Sequence, residues 1–189
     1  MSKYKGKIVI ISSPSGGGKT SICRELLSAK RQADGWKFSI SDTTRQMRQG
    51  EQDGREYNFI SEIEFVKRIA ENSYAEYFKV HLYSYGTPRE PLEAVLHNGG
   101  VMLLDVDVQG AEKLKEVYPE AITIFIMPPS VEVLQSRLRQ RGTETEEQLQ
   151  IRFENAKQEM ELHTKFDHKV VNKELMSAVQ EVLAIIESK

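Results

Sequence analysis

The segment from Ser13 to Thr20, SPSGGGKT, is the part of this sequence whose residue types point most directly to chemistry. It follows the pattern G-x-x-x-x-G-K-[ST], in which consecutive glycines let backbone N–H groups turn toward an anion. The helix after such a loop adds a partial positive charge at its N-terminus. Lys19 can then reach the β and γ oxygens of a triphosphate, and the Thr20 hydroxyl can bind Mg²⁺. We predict that nucleotide phosphates are bound by these residues: Ser13, Pro14, Ser15, Gly16, Gly17, Gly18, Lys19, Thr20 and Ser21.

This loop departs from the pattern at its first position, where Ser13 replaces glycine. A leading glycine permits backbone angles that are unfavourable for residues with a side chain. Ser13 therefore implies either that the position tolerates a side chain or that the backbone is slightly strained there. A glycine-rich strand-to-helix turn with an exposed lysine is the alternative to phosphate binding, and the placement of Gly-Lys-Thr argues against it.

Short apolar strands alternate with amphipathic helices along most of the chain and would position this loop. The first strand, Gly6 to Ser12, is rich in Ile and Val and then breaks into Pro and Gly, as in strands buried on both faces. Further strands are predicted at Val101–Asp105, Ala121–Met127 and Lys169–Asn172. Helices are predicted from Lys19 to about Ala29 and at Arg89–Asn98, Val108–Tyr118, Val131–Gln140 and Leu175–Glu187. The alternation predicts a three-layer α/β fold with a parallel sheet.

Two segments do not follow this alternation. Residues 38–86 are rich in Ser, Thr, Arg, Gly and Tyr, with one predicted helix from Ser61 to Asn72, and we interpret them as an inserted lobe. Residues 137–152 are highly charged and join two helical patterns, so we interpret them as a mobile helical lid. We predict one domain over residues 1–189, with a core of about 1–36, 88–137 and 153–189, a lobe of about 37–87 and a lid of about 138–152.

A second motif lies in the predicted lobe and is more specific than the glycine loop. Residues 41–59 follow the pattern S-x-T-T-R-x-x-R-x-G-E-x-x-G-x-x-Y-x-F, and Glu76, Tyr85-Gly86-Thr87 and residues 105–110 come after it in order. With these motifs the chain resembles the bacterial-type guanylate kinases over essentially its whole length. The resemblance implies a P-loop NTPase core, a mixed α+β GMP-binding lobe and a helical lid. It also implies transfer of the γ-phosphoryl group of Mg·ATP to GMP, and to dGMP, in purine nucleotide metabolism.

The resemblance implies that Ser41, Arg45, Arg48 and Tyr57 hold the GMP phosphate, with Tyr85 nearby. Two arginines suit a dianionic phosphate because each can donate a bidentate, charge-assisted pair of hydrogen bonds. Taken one at a time, these residues have an ordinary alternative, in which the arginines belong to a surface charge cluster and the tyrosines only pack. Their order behind a phosphate loop favours the binding site.

Glu76, Thr87 and Asp105 are the residues that the resemblance assigns to the guanine base. Guanine presents N–H donors at N1 and N2 and an acceptor at O6, so carboxylates and a hydroxyl complement it. Asp105 and Asp107 also follow a buried strand, where open α/β sheets place ligands, although capping of the next helix is an alternative for them. With Thr20 as the Mg²⁺ ligand, Asp105 or Asp107 could assist through water.

Three arginines of the charged segment, Arg137, Arg141 and Arg152, are implied to close over the transferred phosphoryl group. A solvated charged helix with glutamate partners is the alternative for this segment. Asn172 is implied to lie near the adenine of ATP, although a turn residue there is equally ordinary. The chain also departs from the family at Asp42, where serine is usual, and at Met47, where proline is common.

Two other functions remain open at this point. Guanylate-kinase-like domains also occur as protein-binding modules without nucleotide chemistry, but Gly18, Lys19, Thr20, Arg45 and Arg48 all favour an enzyme. A P-loop kinase for another phosphorylated small molecule, such as a ribosyl bisphosphate, would not need the residues assigned to guanine.

Composition limits the partners of this chain. Its 189 residues hold 26 Lys plus Arg against 28 Asp plus Glu, and a formal charge of -2 gives no general attraction for a nucleic-acid backbone. Cys23 is the only cysteine, which excludes an internal disulfide and fits a reducing compartment. No segment approaches the roughly 18 apolar residues of a membrane span. We expect a soluble cytoplasmic protein, a monomer or homodimer, that binds the small molecules ATP and GMP.

Overall fold

The computed structural model describes residues 4–28, 33–80, 82–139 and 146–189, which form two β-sheets and seven α-helices. The strands are β1 (Lys7–Ser12), β2 (Trp36–Phe38), β3 (Asp42–Thr43), β4 (Asn58–Phe59), β5 (Tyr74–Val80), β6 (Tyr83–Pro88), β7 (Val101–Asp105), β8 (Ile122–Met127) and β9 (His168–Val171). The helices are α1 (Lys19–Leu26), α2 (Glu62–Ala70), α3 (Arg89–His97), α4 (Val108–Val117), α5 (Val131–Arg139), α6 (Glu146–Glu161) and α7 (Leu175–Glu187), and a 3₁₀ helix covers Leu162–Lys165. None of the helices described has the length and apolar character needed to span a bilayer.

The larger sheet is parallel throughout, with the strand order β2-β7-β1-β8-β9. The apolar run of β1 explains its central place, because Ile8 and Ile10 pack into the core on one face while Val9 and Ile11 pack into the core on the other. Helices α3 and α4 cover the first face, and α1 and α7 cover the second. The predicted three-layer α/β fold with a parallel sheet is therefore confirmed.

The predicted core strands and helices are found close to their expected bounds. Strand β7 and helix α7 have the predicted bounds, β1 and β8 each begin one residue later than predicted, and β9 is shifted by one residue toward the N-terminus. Helix α1 was predicted too long, since it ends at Leu26. Strand β2 was not predicted at all. It has only three residues and pairs with β7 at the edge of the sheet, so its sequence carries too little periodicity to be noticed.

The second sheet is mixed, with the order β4-β3-β6-β5, and falls with α2 in the segment interpreted as a lobe. Strand β3 pairs in parallel with β4 and antiparallel with β6, and β6 pairs antiparallel with β5. Ser61 begins α2 by accepting a hydrogen bond from the backbone N–H of Glu64 at 3.1 Å. The residue limits assigned to the core, lobe and lid stay predictions.

Asp42, a departure from the resembled family, is a fully buried carboxylate in β3. Its Oδ2 accepts hydrogen bonds from Arg68 Nη1 at 2.6 Å and from the Tyr74 hydroxyl at 2.8 Å. Its Oδ1 accepts one from Asn58 Nδ2 at 2.8 Å. A buried charge is tolerated only when it is paired and hydrogen-bonded. These three bonds meet that need, and they tie together β3, β4, β5 and α2.

Replacing Asp42 with alanine should lower the free energy of unfolding by about 2 kcal/mol, because the buried Tyr74 hydroxyl loses its acceptor. Arg68 should add little to this loss, since its side chain is 34% exposed and keeps an ion pair with Glu64. Urea denaturation measures the change. Glu71→Ala, an exposed position that ends α2, serves as the control and should change stability by less than about 0.5 kcal/mol. Equal losses in the two variants would contradict this role for Asp42.

Candidate functional site

The phosphate loop connects the C-terminal end of β1 to the start of α1, as the sequence predicted. Gly16 and Gly18 have φ angles of 89° and 95°, in the left-handed region that residues with a side chain rarely adopt. Gly18 is also the N-cap residue of α1. The backbone N–H groups of the loop therefore lie beside the N-terminus of α1, where the helix carries a partial positive charge. This arrangement is suited to binding phosphate.

Ser13 takes the place of glycine without left-handed strain. Asn72 is the one residue other than glycine with positive φ in the described part of the chain. The Ser13 hydroxyl donates a hydrogen bond to the Pro14 carbonyl at 3.0 Å. Of the two explanations left open for this position, tolerance of a side chain is the one that the geometry supports.

Asp105, at the end of β7, joins the two functional side chains of the loop. Its Oδ1 lies 2.6 Å from Lys19 Nζ, and its Oδ2 accepts a hydrogen bond from Thr20 Oγ1 at 3.3 Å. Lys19 also donates to the Val106 carbonyl at 3.0 Å. Burial acts to lower the pKa of Lys19, but the ion pair with Asp105 outweighs it, and the pKa is raised. Lys19 is therefore a fixed cation at neutral pH.

The loop is held from behind by side chains that come from the C-terminal part of the chain. The Gly17 carbonyl accepts hydrogen bonds from Asn172 Nδ2 at 3.0 Å and from Arg137 Nη1 at 3.4 Å. Arg137 Nη2 also donates to the Asn172 carbonyl at 3.2 Å. Asn172 is buried, and its place beside adenine stays a prediction. In this conformation Arg137 contacts the loop backbone.

Helix α6 reaches the loop at Ser15. Arg152 Nη2 donates a hydrogen bond to Ser15 Oγ at 2.8 Å, and Glu159 Oε2 accepts one from the Ser15 backbone N–H at 3.1 Å. Glu159 was not among the predicted site residues, because nothing in its neighbourhood in the sequence distinguishes it from other helix glutamates. Arg141, predicted to act with Arg137 and Arg152, lies outside the described residues.

Arg45 of the second motif is buried and held by a carboxylate. Its Nη1 and Nη2 donate to the two carboxylate oxygens of Glu51 at 3.0 Å and 2.8 Å, and Nη1 also donates to the Gln46 carbonyl at 2.7 Å. The hydrogen bond to Glu51 is the main cause that raises the pKa of Arg45. The Arg48 backbone N–H donates to the same Glu51 carboxylate at 2.7 Å, while the Arg48 side chain is exposed. Glu51 was not predicted as a site residue.

Aromatic rings surround the Arg45 guanidinium. Its central carbon lies 5.5 Å from the ring centres of both Tyr57 and Phe59. The Tyr57 ring is in turn 5.8 Å from the ring of Tyr85. Burial raises the pKa of Tyr57, and the nearby Lys19 charge opposes that rise, so its hydroxyl is a hydrogen-bond donor at neutral pH. The predicted phosphate-holding residues Arg45, Tyr57 and Tyr85 therefore form one cluster.

A cleft of about 890 Å³ separates the phosphate loop from the second motif. Ser41 and Tyr57 line it from the lobe, and Lys19, Thr20 and Asp105 line it from the core. The other predicted acceptor residues, Arg45, Arg48, Tyr85, Glu76 and Thr87, are not among the residues that line this cleft. The geometry thus brings part of the predicted acceptor site to the same space as the phosphate loop, which is what transfer between two bound molecules requires.

Glu76 and Thr87 face each other on paired strands β5 and β6, and both are buried. The Thr87 hydroxyl donates to Glu76 Oε1 at 2.6 Å, while Glu76 Oε2 has no hydrogen-bond partner among the described residues. Burial raises the pKa of Glu76 to about 7, against the hydrogen bond from Thr87, and the Asp107 charge raises it further. Asp105, predicted to read the base with these two, is engaged with Lys19 and Thr20 instead.

Asp107 has the capping role that the sequence left open. Its Oδ1 accepts a hydrogen bond from the Gly110 backbone N–H at 2.8 Å, and this contact begins α4. A carboxylate at a helix N-terminus is stabilised by the partial positive charge there. Its assistance to a metal through water stays a prediction.

Comparison with known proteins agrees with this geometry. The family model for guanylate kinase matches residues 5–189. A guanylate kinase from Caldanaerobacter subterraneus subsp. tengcongensis is 44% identical over 184 residues, which span 97% of this chain and 88% of that protein. One from Thermotoga maritima is 42% identical, over 98% of this chain and 88% of that protein. The crystal structure of guanylate kinase from Anaplasma phagocytophilum aligns with a TM-score of 0.77 at 30% identity, over 97% of this chain and 85% of that one.

Gly18→Ala tests the geometry of the loop. A Cβ at this position would clash with Asn172 Nδ2, and the φ angle of 95° is itself unfavourable for alanine. We expect ATP affinity, measured by titration calorimetry, to fall by about tenfold or more, because either Asn172 gives up its hydrogen bond to the Gly17 carbonyl or the loop shifts.

Gly99→Ala is the matched control for this variant. Gly99 also has positive φ, 76°, but the nearest atom to its Cβ would be Lys5 Cβ at 3.9 Å, an ordinary contact. Both variants should lose about 1–2 kcal/mol of stability from the left-handed backbone. Only Gly18→Ala should lose ATP binding, and an equal loss in both would show that the contact with Asn172 does not matter.

Proposed function

This chain belongs to the guanylate kinase family and phosphorylates GMP, and we propose that its glycine loop holds ATP while its second motif holds GMP. The observation that carries this division is the cleft that Lys19, Thr20 and Asp105 line together with Ser41 and Tyr57. A phosphoryl group can pass directly between two nucleotides only if their sites open into one space. An assay of ADP formation with GMP, dGMP, AMP, CMP and UMP as acceptors tests the proposal, and activity with GMP but not AMP is expected.

The donor site is built from the loop backbone and Lys19. Loop N–H groups would bind the phosphates of ATP, and Lys19 would exchange Asp105 for the β and γ oxygens. Thr20 Oγ1 and Asp105 Oδ2 lie 3.3 Å apart, an oxygen pair of the kind that Mg²⁺ uses alongside phosphates and water. We assign Thr20 as the direct ligand and Asp105 as a ligand through water. When bound, Mg²⁺ would supply neutralising charge to the phosphates.

The acceptor phosphate would be bound by Arg45, Arg48, Ser41 and Tyr57, with Tyr85 behind them. Arg45 supports this assignment because Glu51 holds its guanidinium in place before any ligand arrives. The three hydrogen bonds to Glu51 and Gln46 leave other N–H groups of its five for a phosphate. Such prior ordering reduces the entropy lost on binding. The exposed Arg48 side chain would close on the phosphate afterwards.

The base would be read by Glu76 and Thr87. Their direct hydrogen bond leaves Glu76 Oε2 buried and without a partner among the described residues, which is a costly arrangement unless a ligand supplies the donor. Guanine N1–H and the 2-amino group are such donors, and adenine has a lone pair at N1 and no 2-amino group. Asp105 would join them only after Lys19 has turned from it to the ATP phosphates and Thr20 has turned from it to Mg²⁺.

Transfer itself requires alignment and charge neutralisation more than covalent chemistry by the protein. No general base is needed, because an oxygen of the GMP phosphate is already ionised near neutral pH. Arg137 and Arg152 both contact the loop, at Gly17 and Ser15, so they are close to the space that the γ-phosphoryl group would enter. Their movement onto that group, and the part of Arg141, stay proposals. Closure of a lid would exclude water.

Two finer points belong to the same proposal. dGMP should serve as an acceptor, because none of the contacts assigned above involves the ribose 2′-hydroxyl. The protein-binding-module alternative is disfavoured, because Lys19, Thr20 and Arg45 are present and each is held by a neighbouring carboxylate.

Lys19→Met should reduce turnover by at least about a hundredfold, because it removes one fixed charge stabiliser from the transferred group. The fold should survive, since Lys19 lies at the cleft and not in the apolar core. Turnover by the coupled ADP assay and the thermal midpoint together check this. Turnover within tenfold of the native rate would mean that the loop does not bind the transferred phosphate.

The Michaelis constant for GMP should depend on pH through Glu76. Because its pKa is raised to about 7, the carboxyl is mostly protonated at pH 6 and mostly ionised at pH 8. Only the ionised form can accept from both guanine donors. The Michaelis constant for GMP should therefore be about tenfold higher at pH 6 than at pH 8, while that for ATP changes less.

Glu76→Gln separates this effect from titration of GMP itself, whose phosphate has a pKa of about 6. Glutamine has the same shape but does not titrate, so any pH dependence left in the variant comes from elsewhere. Native enzyme should show a steeper dependence than the variant. The variant should also lose GMP efficiency relative to AMP. If the Michaelis constant for GMP changed equally with pH in native enzyme and in Glu76→Gln, Glu76 would not contact the base.

A further inference from the structure

The backbone N–H of Ser15 belongs to the loop that would bind phosphate, yet it is already bonded to a carboxylate. Glu159 Oε2 accepts this hydrogen bond at 3.1 Å. Glu159 is half-buried on α6, and the residue it contacts is 144 positions away in the sequence. Burial raises the pKa of Glu159, while the Ser15 amide, Lys19 and Arg152 act in the opposite direction and favour the anion. A carboxyl group of the protein therefore lies at a loop amide where an anionic ligand is expected.

A second contact comes from the same face of α6. Residues 152 and 159 are seven positions apart, about two helical turns, so their side chains point the same way. Arg152 Nη2 donates to Ser15 Oγ at 2.8 Å. One helix thus contacts Ser15 twice: the Glu159 carboxylate accepts from its backbone N–H, and the Arg152 guanidinium donates to its hydroxyl. A displacement of Ser15 would therefore break these two hydrogen bonds or move α6 with it.

Packing extends this connection to α5. Phe153 and Ala156 of α6 form a buried cluster with Leu134 and Leu138 of α5. A Cβ on Gly16 would meet Leu134 Cδ1 at 3.1 Å, so the loop backbone lies directly against α5. The two helices that flank the predicted lid are packed together and touch the loop at successive residues. Loop and helix pair therefore form one packed unit.

We propose that Glu159 is a placeholder for the triphosphate of ATP: its carboxylate accepts the Ser15 amide hydrogen bond and is displaced when phosphate binds there. The proposal rests on the assignment of the glycine loop as the ATP site. One N–H donor makes one strong hydrogen bond, so carboxylate and phosphate oxygen compete for it. Two anions at that distance also repel each other. The placeholder keeps the loop amide satisfied in the free protein, and its release links ATP entry to the position of α6 and Arg152.

A residue that only orders the loop, here called a brace, would have a different role. The two roles predict opposite changes in ATP affinity when the Glu159 charge is removed. A brace that orders the loop for ATP would, when removed, weaken ATP binding. A placeholder competes with ATP, so removing its charge should tighten binding.

Glu159→Gln is the direct test, because glutamine keeps the shape and one oxygen acceptor but carries no charge. Calorimetric titration with ATP, without GMP, should give a dissociation constant about fivefold lower than that of the native protein, as expected for loss of one well-screened like charge. Tripolyphosphate, which has no base or ribose, should show the same direction of change. Raising the salt concentration should reduce the difference.

Glu154→Gln is the matched control on the same helix. Glu154 is exposed, and the hydrogen bonds described for it go to Gln150 and Lys157, away from the loop. Its affinity for ATP and tripolyphosphate should stay within about twofold of native. Urea denaturation of all three proteins checks that they are equally folded.

The outcomes separate this proposal from the assignment beneath it. If native protein binds ATP and phosphorylates GMP but Glu159→Gln binds ATP no more tightly, the placeholder proposal is wrong and the function stands. Weaker binding by a folded Glu159→Gln protein would identify a brace and overturn the proposal as well. If the native protein does not bind ATP, the function proposed for the loop fails, and the placeholder fails with it.

Discussion

The parallel pairing of β1 with β7 is the constraint on which the site depends. It places Ile11 opposite Asp105, so the loop that follows β1 and the acidic residue that ends β7 emerge at the same edge of the sheet. Carboxyl ends of parallel strands meet in this way in open α/β folds, and ligands bind there. The ion pair between Lys19 and Asp105 follows from that register. A change of pairing would separate the two, and no local property of the loop could restore the contact.

Buried polar groups in the lobe fall into two kinds. Asp42 has three partners, and its carboxylate holds four elements in fixed relation. Glu76 has one oxygen bonded to Thr87 and one without a partner among the residues described. A satisfied buried charge gives rigidity, whereas an unsatisfied one lowers stability and leaves binding capacity for a ligand. The lobe thus combines a rigid network around Asp42 with a Glu76 oxygen that would gain a hydrogen-bond donor only from a bound molecule.

Much of the fold and part of the site could be predicted from the sequence, for physical reasons that differ. Core strands such as β1 and β7 are continuous apolar runs, so their burial on both faces can be predicted from the local sequence. The glycine loop is a contiguous pattern that could be recognised by its spacing, whereas the arginine motif was recognised by its resemblance to a known family. Contacts such as Ser15 with Glu159 could not be predicted, because they join positions that only the packing of α6 brings together. Asn172 was singled out, but its bond to Gly17 depends equally on tertiary packing.

The crowding between Ser13 and Gly17 has a consequence for how this loop can evolve. A Cβ added to Gly17 would meet Ser13 Cβ at 2.8 Å, closer than such atoms normally come. The two positions are therefore coupled: with serine at 13, a side chain at 17 requires the loop to shift, whereas glycine at 13 would remove that contact and leave the Pro14 carbonyl at 3.1 Å. A substitution at Gly17 should therefore cost less stability after Ser13→Gly than before it. The serine that departs from the glycine pattern thus makes the glycine four positions later harder to replace.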